Sequence, residues 1–170
     1  MKRLKKDFYL RPATELSVLL LGKLLVRKTE QGVIKARITE TECYFGEEDT
    51  ACHAHRGKTD RTRILYEEGG LAYVYLCYGI HSLLNVVSGD KGHPEAVLIR
   101  AVDGYNGPGK LTKALSITRE QNYTDLCTSD ELWIEDDGLV PTEIQRSKRV
   151  GIDYATQEYQ DVLWNFKMIL

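Results

Sequence analysis

The sequence predicts an α+β fold: a single domain built on a mainly antiparallel sheet, with flanking helices and a protruding β-hairpin. Three observations point there. Strand-like runs rich in β-branched and aromatic residues recur along the chain, the connections between most of them are short, and helix punctuation brackets only two stretches. At 170 residues and 42% hydrophobic content there is chain enough for one real core and too little for two. Residues 1–170 are therefore read as one unit.

Pro12 followed by Ala13-Thr-Glu-Leu-Ser-Val-Leu-Leu-Leu-Gly22 opens a helix with proline in its first turn and closes it near glycine, with a leucine face for the core. Leu24 to Arg27 and Val33 to Tyr44 follow as two strands around a Thr29-Glu-Gln-Gly32 loop. Alternation places Glu40, Glu42 and Tyr44 on one face of the second strand, continuous with apolar Ile34, Ala36 and Ile38. Gly46 to Arg63 is polar and without periodicity, a long loop with room for a helical turn, and long loops in compact domains are usually functional. Ala72 to Tyr78, Leu83 to Val87 and Ala96 to Val102 supply three more strands, the first two joined through Gly79. Asn106-Gly-Pro-Gly-Lys110 then punctuates the chain before a short helix at Leu111 to Leu115. Beyond Thr118, short strands are expected at Leu132 to Ile134 and Val150 to Ile152.

Charge excludes little. A net charge of −2 from 23 basic and 25 acidic residues neither demands nor forbids nucleic acid, so distribution matters more than the sum. The basic clusters at Lys2 to Lys6 and Arg146 to Arg149 read as solvated faces. The first residues lack an apolar run and Leu19 to Leu25 is too short to cross a bilayer, so the expectation is a non-secreted, cytoplasmic (nucleoid) or nuclear protein with reduced thiols and no membrane partner.

Arg100 stands within the apolar strand Ala96-Val-Leu-Ile-Arg-Ala-Val102, on the face of Leu98 and Val102, and needs a carboxylate or solvent; Glu42 or Glu40 is the natural carboxylate partner. Two readings stay open: a structural ion pair, or a base kept ionised by the cation and able to take a proton from a water between them. Tyr73 and Tyr75 alternate onto one face, as core pairs or as a platform for a flat ring. Tyr78, at a turn beside Gly79, is placed to insert into a partner, as minor-groove wedges do. His53 reads as a neutral ring stacking on a planar ligand, against the plainer reading of a surface loop residue. Cys43, Cys52, His53 and His55 match no common zinc spacing, so no metal or other cofactor is expected. Arg56, Lys58, Arg61 and Arg63 share one loop with threonines and a glycine, which suits a phosphate backbone, and Gly107 to Lys110 offers N–H groups to an anion.

Ile38-Thr-Glu-Thr-Glu-Cys-Tyr44, Asp49-Thr-Ala-Cys-His53, Tyr73-Val-Tyr-Leu-Cys-Tyr-Gly79, Leu84-Asn-Val-Val87, the Arg100 strand and Asn106-Gly-Pro-Gly-Lys-Leu-Thr-Lys-Ala-Leu115 together, in this order, resemble the alkyladenine (3-methyladenine) DNA glycosylase family. The resemblance implies a curved sheet with a protruding hairpin and a monofunctional enzyme that flips an alkylated purine out of double-stranded DNA and hydrolyses its glycosidic bond. 3-Methyladenine is the implied substrate, with hypoxanthine and ethenoadenine as further candidates, and a monomer suffices. On matching positions it implies Glu42 as catalytic base, Arg100 as a holder of its water, Tyr44, His53 and Tyr75 as rings around the base, Asn85 at the pocket edge, Tyr78 as intercalating wedge and the Gly107 to Lys110 segment as the loop beside the water and base. Lys110 joins the four loop cations as an expected DNA-backbone contact. Glu40 becomes the structural carboxylate. Three departures stand out: the short Val102-Asp-Gly-Tyr105 link, the altered Thr59-Asp-Arg-Thr62, and a terminal strand that Trp164 to Leu170 supplies only in part. The competing function is a non-catalytic damaged-DNA binding module, and a zinc hydrolase on Cys52, His53 and His55 is a third.

Overall fold

In the computed structural model, which describes residues 1–169, the chain runs β1 (Lys2–Arg3), α1 (Lys6–Tyr9), α2 (Ala13–Leu19), β2 (Leu24–Thr29), β3 (Gly32–Phe45), β4 (Ala72–Cys77), β5 (His81–Val87), β6 (Glu95–Val102), β7 (Tyr105–Asn106), α3 (Pro108–Ala114), β8 (Leu132–Asp136), β9 (Glu143–Ser147), α4 (Gln157–Asp161) and β10 (Asn165–Ile169). The strands form one open antiparallel sheet with the path β1-β8-β2-β3-β6-β5-β4, joined by β10 between β3 and β9 and by β7 beside β6. The α+β antiparallel expectation holds.

β3 organises this sheet. Its first half pairs with β2, and its second half pairs with β6 on one side and β10 on the other. Register shifts between Ile38 and Thr41 mark a bulge, and a bulge moves the alternation by one residue. Ala36 and Ile38 therefore join Cys43 in the main core, on the opposite side from Glu42 and Tyr44, and Ile34 is exposed. The single continuous face expected from strict alternation does not exist. Val102 likewise leaves the face of Arg100 and Leu98 and packs in the main core.

Leu16 of α2 and Leu111 of α3, with Leu20 and Leu115 capping the C-terminal ends of these helices, pack with Val74, Leu84, Val97 and Ile99 to bury one face of the sheet. That packing leaves the other face of β3, β4, β5 and β6 for Tyr44, Tyr73, Tyr75 and Ala96, which meet a smaller cluster of Cys52, Ala54, Ile64 and Leu65 from the long polar loop. The loop carries two 3-10 turns, His53–Arg56 and Arg63–Tyr66. α2 begins one residue after Pro12, and its first N–H donates to Glu95 Oε1 at 2.7 Å. α3 begins at Pro108, earlier than expected, because Gly107 at φ 153° turns the chain into it.

Val150–Ile152 forms no strand; its backbone is used by a side chain, as described below. The strand in that region is β9, which pairs with β10 over Ser147↔Asn165 to Glu143↔Ile169. The terminal strand is thus fuller than expected across Asn165–Ile169, while Leu170 lies outside the described residues.

Candidate active site

Glu42 is fully buried on β3. Its Oε2 accepts from the Val150 backbone N–H at 2.8 Å and from Asn165 Nδ2 at 2.9 Å, and its Oε1 accepts from the Tyr44 hydroxyl at 3.0 Å. Burial pushes its pKa up, opposed by the Arg100 guanidinium and by these three donors. Arg100 Nη1 stands 3.7 Å from Oε1, whereas Arg100 Nε donates to Glu40 Oε2 at 3.1 Å. Arg100, expected to pair with Glu42 or Glu40, is near both, with the shorter contact to Glu40.

Beside Glu42, Tyr44, His53, Tyr73, Tyr75 and Asn85 line a narrow pocket. The His53 ring meets Tyr75 edge-on with centroids 4.5 Å apart, and its Nδ1 lies 2.9 Å from the Tyr73 hydroxyl. Burial and the nearby Arg61 lower the His53 pKa to about 4, so the imidazole is neutral at pH 7. Asn85 on β5 donates to the Tyr73 carbonyl at 3.2 Å. The pocket shares Tyr44, His53, Tyr75 and Tyr154 with a cleft of about 780 Å³ that is also lined by Arg61, Tyr78, Arg100 and Gly107 to Lys110. Sheet alternation does this: residues from four strands with the right parity reach one side.

Tyr78 tips the β4–β5 hairpin. Its φ of 53° and that of Gly79 at 70° make a tight turn closed by the Ile80 N–H donating to the Cys77 carbonyl at 3.2 Å. The residue is 92% exposed at the edge of the cleft. The predicted backbone cations divide. Arg61 stacks over Tyr75 at 5.1 Å and lines the cleft with Lys110, while Arg56 lines an adjoining groove with His55 and Thr59. Lys58 instead covers Tyr66 at 5.4 Å, and Arg63 pairs with Asp60 at 2.8 Å. Among the described residues, no group of three or more His, Cys, Asp or Glu could hold a metal ion.

A family model described as methylpurine-DNA glycosylase matches residues 7–105 and 102–169. The chain belongs to this family. The two matched pieces overlap at 102–105, the turn where β6 passes into β7, so the family pattern is interrupted at the short link. Relatives named "Putative 3-methyladenine DNA glycosylase" include one from Borrelia garinii subsp. bavariensis, 44% identical over 94% of this chain and 92% of the relative. Another, from Methanocella arvoryzae, is 44% identical over 93% of this chain and 88% of its own, and one from Clostridium novyi is 42% identical over 98% and 94%.

Several parts of this candidate site escape sequence reasoning. Arg149, read as part of a solvated cluster, is buried in a bidentate pair with Asp49 at 2.6 and 2.9 Å and lies over the Tyr44 ring at 4.9 Å. Asp49 also accepts from the Phe45 and Ala51 N–H groups, each at 3.0 Å. This pair seats the segment whose Val150 N–H reaches Glu42, which is why no strand forms there. Asn165 is the other omission. Its only signal was its place in Trp164-Asn-Phe-Lys-Met, where polar residues alternate with apolar ones.

Proposed function

We propose that this protein is a monofunctional DNA glycosylase of base excision repair that removes alkylated purines, 3-methyladenine first among them, and leaves an abasic site. The observation that carries the reading is a buried carboxylate, Glu42, held beside an aromatic pocket that shares its walls with a cleft edged by an exposed tyrosine. Hypoxanthine and ethenoadenine, flat purines of similar outline, are the further candidates.

Purines alkylated on a ring nitrogen carry positive charge in the nucleotide, which weakens the glycosidic bond and favours stacking on electron-rich rings. Tyr44, His53 and Tyr75 take the flipped base, and the neutral His53 adds no repelling charge. Asn85 sits at the pocket wall, where its amide can read the purine edge. Tyr78 fills the space the base leaves; unstacking costs a few kcal/mol and least at damaged pairs, so part of the selection precedes pocket entry. Glu42 then takes a proton from water as that water attacks C1′, and the purine departs with the bonding electrons. The 3.7 Å between Arg100 Nη1 and Glu42 Oε1 is long for a direct hydrogen bond and suits a bridging water. Water being the nucleophile, no Schiff base forms and no strand is cut.

The test is a duplex with one methylated purine or hypoxanthine, incubated with the protein and then treated with alkali. Strand breaks at the lesion mark excision. Glu42→Gln should abolish breaks while retaining lesion binding; unchanged excision by that variant removes Glu42 from the role. Lesion-dependent retention without breaks in the wild type would instead mark a binding module.

A further inference from the structure

We propose that Asn165 is a positioning residue: its side-chain amide bridges Glu40 and Glu42, fixes which oxygen of Glu42 faces Arg100, and offsets the repulsion between the two neighbouring carboxylates. This rests on the glycosylase reading for its catalytic meaning, but the electrostatic part stands on the geometry of the site.

Asn165 lies opposite Glu42 in the β10–β3 register and is 3% exposed. Its Nδ2 donates to Glu42 Oε2 at 2.9 Å and to Glu40 Oε2 at 2.8 Å, so both amide hydrogens are spent on carboxylates. Its own Oδ1 accepts from Ser147 on β9 at 3.3 Å, which sets the amide's orientation. With the Val150 N–H also on Glu42 Oε2, that oxygen is saturated with backbone and amide donors. Oε1, bonded to Tyr44 and facing Arg100, is left as the proton acceptor.

Two carboxylates this close oppose each other's ionisation. The charged and titratable groups around Glu42 are Glu40 and Tyr44 on β3, Arg100 on β6, Lys167 on β10 at 3.6 Å from Glu40 Oε1, Arg149 beside Val150 and over the Tyr44 ring, already paired with Asp49, and Tyr154 across the cleft. Arg100 and Lys167 balance the two acids in charge, and among the described residues Asn165 supplies the only donor bonded to both. Burial already raises the Glu42 pKa and the Asn165 donor opposes it, so losing that donor raises it further. Removing a like charge from a neighbouring carboxylate acts in the opposite direction.

The test is the pH profile of single-turnover excision at saturating enzyme, together with a carbon-13 titration of the Glu42 carboxyl, which reads its ionisation without turnover. Asn165→Leu should move the acidic limb and the titration midpoint upward by about one pH unit, equivalent to roughly tenfold in rate at a pH on that limb. Glu40→Gln should move both downward, and lesion binding should hold in each variant. A structural role alone predicts no opposite shifts. If Asn165→Leu does not fold, the Glu40→Gln shift still decides: a midpoint that stays or rises overturns the proposal. An inactive wild type with the predicted titration shifts would overturn the glycosylase reading and leave the bridge standing, while an active wild type with unshifted variants would overturn the bridge alone.

Discussion

Tyr78 combines two costs that a structural residue would not bear. A tyrosine that is 92% exposed leaves apolar surface in water, and a φ of 53° holds a bulky side chain in the left-handed region, where strain is of order 1 kcal/mol or more. Both costs become intelligible if the ring is used only when DNA is bound. Asn tolerates the left-handed region, so Tyr78→Asn should raise folding stability by up to about 1 kcal/mol. It should also weaken binding to lesion duplex roughly tenfold or more, since base–aromatic stacking contributes about 1–3 kcal/mol. Urea denaturation and titration of labelled duplex measure the two effects. A variant that gains stability and binds lesion DNA as tightly as the wild type would argue against the wedge, whereas lost stability would argue against the strain.

At the scale of elements, the site depends on the segment after β9 being seated against β3. The seat is the Arg149–Asp49 pair, with both side chains removed from solvent and Arg149 also donating to the Cys43 carbonyl at 3.0 Å. Breaking one half of a buried pair leaves an unpaired charge, so Asp49→Ala should cost about 3–5 kcal/mol. Excision should fall at temperatures where the variant is still folded, because the Val150 N–H loses its place on Glu42; a loss of stability with full excision would uncouple the seat from the site. This seat also marks where sequence reading stops. β4, β5, β6 and the Glu42 end of β3 were legible because alternation and turn residues are local signals, and they brought Glu42, Tyr44, Tyr75, Asn85 and Arg100 to one side of the sheet. Arg149 and Asn165 meet their partners across a hundred residues of chain or more, and no local periodicity encodes such a pairing. The bulge between Ile38 and Thr41 is a third case, since a one-residue shift in alternation leaves no mark in composition.

Across the whole molecule, the layering assigns one face of the sheet to stability and the other to the ligand: α2 and α3 cover the first, and the pocket and cleft occupy the second. A net charge of −2 gives no general attraction to DNA, so a phosphate backbone must be held by cations gathered on that second face. Lys110 at the cleft and Arg56 in the adjoining groove are exposed, and neither has an ion-pair partner among the described residues, whereas Arg63 is engaged with Asp60. An exposed cation that meets a phosphate releases a counterion, and each such contact steepens the dependence of log K on log salt by about 0.9 for duplex DNA. Arg56→Ala and Lys110→Ala should therefore each flatten the salt dependence of lesion-duplex binding by close to one unit, and additively if the two contacts are independent. Arg63→Ala should change it less, because freeing that guanidinium for phosphate means giving up Asp60. Binding isotherms from low to physiological salt decide the matter, and slopes unchanged by Arg56→Ala and Lys110→Ala would mean that the duplex lies along another face.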